Sequence, residues 1–243
     1  MRVYLASTST RRHMKDDLTQ GKYYLESFFY FQPWQEILIN DKFMLDSGAY
    51  TFIASNKHNE KIDWDKYVTA YGKFINKHDI KLFFELDIDP IVGIHEVERL
   101  RNKLENITGK KCIPVWHKSR GQQYYIDLVK SYGYVALGGI VTGEIKRKEH
   151  SFFNWFINKA HENNCQIHGL GYTSTGNLSK YKFDSVDSSS WVGAGRFGSL
   201  YQFNGHRIIS HKRQGVRLKD RNVADLYNLG QWLKFQRYAE KHL

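Results

Sequence analysis

Short apolar runs that close on an acid, a histidine or a pair of glycines recur along this chain, with stretches of helical spacing between them. Val3 to Ala6 gives way to the polar run Ser7 to Thr10. Phe43-Met44-Leu45 leads into Asp46-Ser47-Gly48-Ala49-Tyr50, and Lys81 to Asp87 (KLFFELD) ends in acid with Asp89 nearby. Cys112 to Trp116 stops at His117, Tyr134 to Leu137 meets Gly138-Gly139, and Gln166-Ile167 meets His168-Gly169. In Phe183 to Trp191 (FDSVDSSSW) a β-branched step separates Asp184 from Asp187, and three serines then end the run. Each of these reads as a buried strand.

The intervening stretches read as amphipathic helices. Asp63 is the N-cap of one running to about Lys77, with Trp64, Tyr67, Val68, Tyr71, Phe74 and Ile75 on one face. Ile94, Val97, Leu100, Arg101 and Leu104 mark a second, stopped by Gly109. Tyr124 to Tyr132 is a third with Gly133 as its cap, and Phe152, Phe153, Phe156, Ile157 and Ala160 make the face of a fourth. Six to seven such alternations require a parallel sheet, and their number suits a closed (β/α)8 TIM barrel better than an open doubly wound sheet. No Pro/Gly/Ser linker divides residues 1–243, which points to one domain. An eighth strand has no assigned place in this reading.

Beyond Trp191 the texture changes. Leu200 to Phe203 and His206 to Ile209 flank Asn204-Gly205, the signal of a hairpin with a two-residue turn. A closing helix of about 20 residues follows from Asn222. Val223, Leu226, Tyr227, Trp232, Leu233 and Tyr238 are its expected core contacts.

Composition narrows the function classes. A 41% hydrophobic, 15% aromatic chain builds a core and is not globally disordered. No apolar run approaches 18 residues, and Arg2, Arg11 and Arg12 interrupt any leader pattern, so a soluble cytoplasmic protein without a membrane partner is expected. Cys112 and Cys165 stand far apart outside any CxxC, which predicts buried thiols and no metal site. The net charge of +11 is uneven. Lys146-Arg147-Lys148 follows one strand end, and Arg196, Lys212, Arg213, Arg217, Lys219 and Arg221 crowd the C-terminal third. Such clusters read as a phosphate-backbone footprint, the simpler alternative being a solubilising surface.

The C-terminal strand ends of a parallel barrel open onto one face. Asp46, Asp87, His117, Gly138-Gly139, His168-Gly169 and Asp187 therefore collect at one mouth. Singly, a strand-end Asp is more simply a helix cap, and a glycine pair a crowded strand. Jointly, they suit glycosyl transfer, in which one carboxylate attacks an anomeric carbon and the other manages the proton on the base. Asp184 ranks behind Asp187 because it precedes the Val186 step and falls outside the mouth. Neither a GxGxxG nor a Walker loop is present, so no nucleotide cofactor is called for.

Asp46-Ser47-Gly48-Ala49-Tyr50 resembles the DSGG(F/Y) signature of the queuine and archaeosine tRNA-guanine transglycosylases, and Ala136 to Glu144 (ALGGIVTGE) resembles their ALGGLAVGE stretch. The likeness extends in order through Phe84 to Asp87, Val115-Trp116-His117, His168-Gly169-Leu170-Gly171 and Asp184 to Asp187. It implies a (β/α)8 barrel that exchanges guanine in a nucleic acid for a 7-deazaguanine base through a covalent sugar-enzyme intermediate, without a cofactor. Carried over, Asp187 is the nucleophile and Asp46 the general acid/base. Asp87 reads the guanine edge, Gly139 and Ile140 offer amides to the base oxygen, Tyr50 stacks on the ring, and Ser47, Gly48, Gly138 and Gly169 complete the base pocket. His117 and His168 stand where the tRNA enzymes carry Gln and Met. The chain also lacks their cysteine-rich zinc region and has SVDSSSW in place of FDCVMPTR, which makes it resemble the DNA-directed branch of bacteriophages and bacterial modification islands. A tRNA-directed enzyme reduced to its barrel is the alternative, and a non-catalytic base-binding barrel is the alternative of another class.

Overall fold

The computed structural model describes residues 1–48, 51–52, 62–172, 174–193, 198–212 and 220–243. Eight parallel strands form the wall: β1 (Arg2–Ala6), β2 (Tyr24–Ser27), β3 (Met44–Asp46), β4 (Leu82–Phe83), β5 (Val115–Trp116), β6 (Tyr134–Leu137), β7 (Gln166–Gly169) and β8 (Ser185–Ser188). Their order is β4-β3-β2-β1-β8-β7-β6-β5. The two edges meet, because Phe84 and Ile113 form a parallel bridge in which Glu85 N donates to Ile113 O (3.1 Å) and Ile113 N to Phe83 O (2.8 Å). The fold is an α/β barrel of the TIM type.

The strand missing from the sequence reading is β2. Its run, Tyr23-Tyr24-Leu25-Glu26, closes on an acid like the others, but short 3-10 turns at Phe28–Tyr30 and Pro33–Leu38 follow it where a periodic helix would have drawn attention to it. Four of the other connections carry the longer helices α1 (Trp64–Lys77), α2 (Ile94–Thr108), α3 (Gly121–Ser131) and α4 (Phe153–Glu162). Asp63 caps α1 by accepting from Lys66 N at 3.0 Å, and Gly109 ends α2 in the left-handed conformation, φ 66°. Two expectations at helix ends are corrected. Tyr132, in extended backbone, ends α3 instead of Gly133, and Phe152 precedes α4 and is exposed instead of joining its buried face. Both cysteines are free and buried, and no helix among the described residues is long and apolar enough to cross a membrane.

After β8 come the antiparallel pair β9 (Ser199–Phe203) and β10 (Ile208–Lys212) and the helix α5 (Arg221–His242), capped by Asp220. Phe203 pairs with Ile208, so the hairpin loop is four residues long and not two. The Asn204 side chain accepts from His206 N (3.1 Å) and Arg207 N (2.9 Å), which folds those residues into the turn. On α5, Trp232 and Leu233 are buried as expected, but Val223, Leu226 and Tyr227 are exposed. The face turned inward carries Asp225, Asn228 and Gln236. Asp225 pairs with Arg11 at 3.0 Å, Asn228 donates to the Trp191 and Ser199 carbonyls, and Gln236 donates to those of Val3 and Tyr23. Apolar periodicity misplaces this helix because its polar residues satisfy buried backbone groups.

The β4–β5 seam relies on side chains. Glu85, fully buried, accepts from Val115 N (2.9 Å) and Arg120 Nη1 (2.7 Å), and Arg101 Nη1 lies 3.5 Å from its other oxygen. Arg120 also donates to Asp89 at 2.6 Å. Removing one member of a buried ion network leaves its partners uncompensated. Glu85→Ala is expected to lower stability by about 3–5 kcal/mol, read from the urea midpoint, whereas Val223→Ala on the exposed face of α5 should change it by less than about 0.5 kcal/mol.

Candidate active site at the barrel mouth

Alternation along the strands decides which side chains point inward. Tyr4, Ala6, Leu25, Met44, Phe84, Val115 and Ala136 pack together as the barrel interior, whereas Val3, Leu5, Val135 and Val186 belong to the core between sheet and helices. Ser185 and Asp187 share the inward parity on β8. Asp184 has the opposite parity and lies at the start of the strand, where it accepts from Ile167 N (2.8 Å) and pairs with His161 (3.0 Å).

A cavity of about 570 Å³ opens at the C-terminal ends of the strands. Of the residues expected at the mouth, Asp46, Asp87, His117, Gly139 and Asp187 line it. So do Glu26 and Tyr30, which sequence reasoning left out, and Thr142, Leu170 and Gly171, which lay in the matching stretches without an assigned role. Tyr50, Arg196 and Arg213, and the side chain of Lys212, lie outside the described residues.

Asp187 is held from two sides, accepting from Gly171 N at 2.5 Å with His168 Nε2 at 3.1 Å from the same oxygen. His168 is fully buried beneath it and does not line the cavity; its role is toward Asp187. Its Nδ1 lies 2.5 Å from Ser185 Oγ, which lies 2.5 Å from Tyr134 OH, and Arg2 Nη2 donates to Tyr134 OH at 3.4 Å. Because arginine only donates, the buried Tyr134 O–H has Ser185 as its acceptor. Ser185 then donates to His168 Nδ1, and His168 Nε2–H to Asp187. Every proton in the column points toward Asp187, presenting it as a carboxylate.

Asp46 sits differently. Burial, then the nearby charge of Asp87, push its carboxyl up to about 7, against a hydrogen bond from Gly48 N at 3.0 Å and a further upward push from Asp187. Gly48 takes φ +80°, and a Cβ there would come 2.5 Å from that of Phe29, so only glycine fits this turn. Ser47 and Gly48 shape Asp46 from behind and do not line the cavity. Glu26, at the end of β2, is likewise pushed up to about 7 by burial, partly offset by hydrogen bonds from Thr8 and Gln35.

Across the mouth, His117 Nε2 lies 3.1 Å from Asp87 and Nδ1 lies 3.2 Å from Glu144. Burial lowers the imidazole pKa, and the hydrogen bond and charge of Asp87 outweigh it, so the net shift is upward. Glu144 also accepts from Ser119 N at 2.9 Å. The glycine pair makes room for this arrangement. A Cβ on Gly138 would lie 2.8 Å from the His117 ring, and one on Gly139, φ +78°, would lie 2.7 Å from Glu144 Oε2. Gly139 reaches the cavity, whereas Gly138, Ile140 and Gly169 stand behind its lining. Among the described residues the amides of Gly139 and Ile140 have no hydrogen-bond partner. Asp89 is spent on Arg120 and does not line the cavity. Lys146, Arg147 and Lys148 are exposed in the connection after β6, where Arg147 opens a 3-10 helix (Arg147–Phe152), and they do not line the cavity.

The missed residues left uneven traces. Glu26 ends an apolar run and Glu144 ends the glycine-rich loop, both readable signals, whereas Tyr30 sits in an aromatic stretch with nothing to single it out. Removing the Asp87 charge should lower the Asp46 pKa from about 7, leaving more Asp46 ionised at neutral pH. In Asp87→Asn, a carboxyl ¹³C NMR titration should show the Asp46 midpoint moved to lower pH; an unmoved midpoint would mean burial alone sets it.

No protein-family model matches the chain, and no characterised protein matches it in sequence. In structure it is similar to the carboxyl transferase domain from Rhizobium etli pyruvate carboxylase, with 13% identity and a TM-score of 0.47 over 98% of this chain and 47% of that one. The same domain with pyruvate gives 14% identity and a TM-score of 0.45 over the same shares. The chain thus spans about half the length of these structures, and the likeness concerns the fold alone.

Proposed function

We propose that this protein is a nucleic-acid guanine transglycosylase that exchanges guanine in DNA for a 7-deazaguanine base through a covalent glycosyl-enzyme intermediate. The observation that carries this reading is a pair of carboxyl groups on one cavity in different electrostatic settings. Asp187 accepts from His168 and Gly171, while Asp46, with its pKa raised to about 7, holds a proton in a large fraction of molecules at neutral pH.

In the first half-reaction an Asp187 oxygen bonds to C1′ of the target nucleotide as the bond from C1′ to the base nitrogen breaks, and Asp46 gives its proton to the departing guanine. In the second, the incoming base attacks C1′ through its ring nitrogen, the ester to Asp187 breaks, and Asp46 recovers the proton from that nitrogen. Atoms and charges balance without a cofactor. The ester also holds the strand intact while the two bases change places.

The mouth suits a purine. A volume of about 570 Å³ lies within the range of small-molecule sites. The oxygen of Asp87 not bonded to His117 is an acceptor for the guanine N–H edge, and the unpartnered amide of Gly139, at the cavity wall, is a donor for the base oxygen. The exposed Lys146-Arg147-Lys148 loop supplies charge for the flanking phosphates of a strand whose target base has turned into the mouth.

Labelled guanine offered with DNA and with tRNA separately tests the reading. Exchange into DNA is expected, with Asp46→Asn and Asp187→Ala each slowing it on the order of 10³-fold or more and the double variant little slower than either. Without an incoming base, wild type and Asp184→Ala should give a denaturant-resistant complex with DNA on a gel, and Asp187→Ala none. Exchange into tRNA alone would redirect the substrate assignment, and exchange into neither would overturn the activity.

A further inference from the structure

A second cavity, of about 500 Å³, lies between the loop after β7, the turn after β8 and the β9–β10 hairpin. It borders the mouth, since Ser189 lines the first cavity and Ser190 the second. Its lining includes Ser174, Asn177, Ser190, Arg207, Ser210 and Trp232, and among the described residues it contains no carboxylate. We propose that this cavity binds a phosphate group of the nucleic-acid strand next to the nucleotide held at the mouth. The proposal deepens the transglycosylase reading and rests on it for the strand.

The donor set is the first argument. Three serines, an asparagine, an arginine and a tryptophan line one space, a lining rich in donors, and the oxygens of a phosphodiester only accept. Arg207 is the second. Among the described residues Arg207 has no ion pair, a state it shares with Arg2, Arg12, Arg147, Arg221 and Arg237, and of these it alone lines this cavity. Arg207 is exposed, and its guanidinium reaches the β7–β8 loop, where a Cβ on Gly176 would sit 3.5 Å from Nη1, so it stands at the rim of the cavity.

Trp232 is the third. It is 2% exposed, and its buried indole N–H has no hydrogen-bond partner, an arrangement that native proteins rarely tolerate without a ligand or water to complete it. The surrounding walls are fixed. Thr175 Oγ1 accepts from Ile208 N (3.1 Å) and donates to Ile208 O (3.3 Å), tying loop to hairpin, and Asn177 Nδ2 donates to Ser174 Oγ at 3.1 Å. The loops after the seventh and eighth strands are also where barrels of this type commonly hold phosphate groups.

Indole ¹H–¹⁵N NMR on the full chain tests the site, with the Trp232 resonance assigned by its loss in Trp232→Phe. Inorganic phosphate should shift that resonance saturably, and Arg207→Ala should weaken the response at least about tenfold, with Arg207→Lys restoring part of it. A short single-stranded DNA should displace the phosphate. In Arg207→Ala, the slope of log affinity for DNA against log salt should fall by about one. An unmoved Trp232 resonance, an equal response in Arg207→Ala, or phosphate that DNA fails to displace would each overturn the proposal. Guanine exchange, measured alongside, separates the two claims. Exchange without a Trp232 response removes this site alone, and a Trp232 response without exchange removes the transglycosylase reading alone.

Discussion

Side chains on the inner face of a closed parallel barrel cannot reach water, so any polar group placed there must find its partner on a neighbouring strand. The column from Arg2 through Tyr134, Ser185 and His168 to Asp187 obeys that constraint, each step crossing from one strand to another among β1, β6, β7 and β8. It also fixes register. A slip of one residue in β8 would turn Ser185 and Asp187 outward and bring Asp184 and Val186 in, breaking two hydrogen bonds to His168 at once. The placement of the proposed nucleophile and the alignment of the wall are therefore a single structural fact.

The opposite side of the barrel is built more sparingly. β1 and β8 pair through four residues in register, whereas β4 and β5 meet at one bridge, and Glu85 supplies with its carboxylate the acceptor that a longer strand would offer Val115. One layer higher, the Asp87–His117 contact spans the same seam. The residues that face the base in the proposed reaction thus also hold the last gap in the wall. This accounts for an imidazole placed between the carboxylates of Asp87 and Glu144 at the mouth.

What was readable in the sequence follows from how local each signal is. Strand-end acids are local, and Asp46, Asp87 and Asp187 all reached the mouth as the alternation required. His168 shows the limit of that reasoning, because a histidine one residue from a strand end looks the same whether it faces a ligand or supports a neighbour, and only the parity of β7 against β8 distinguishes them. The face of α5 failed for a related reason. Asn228 and Gln236 are buried because backbone groups far away in sequence await them, and no pattern within the helix records that demand. β2 ends like its neighbours and went unread for want of a helix beside it.

Those same contacts on α5 bear on the order in which the molecule is completed. Gln236 serves the carbonyls of Val3 and Tyr23 and accepts from Lys22 N, while β1 waits for β8 to close its free side. A ribosome therefore delivers the first strand long before the groups that complete it exist, and pairings of such span are slow to form. Until β8 has been made β1 lacks a partner on one side, and until α5 has been made the carbonyls of Val3 and Tyr23 lack the Gln236 amide. The carboxyls of Asp46 and Asp187, one from β3 and the other from β8, likewise come to one cavity only after most of the wall has been made.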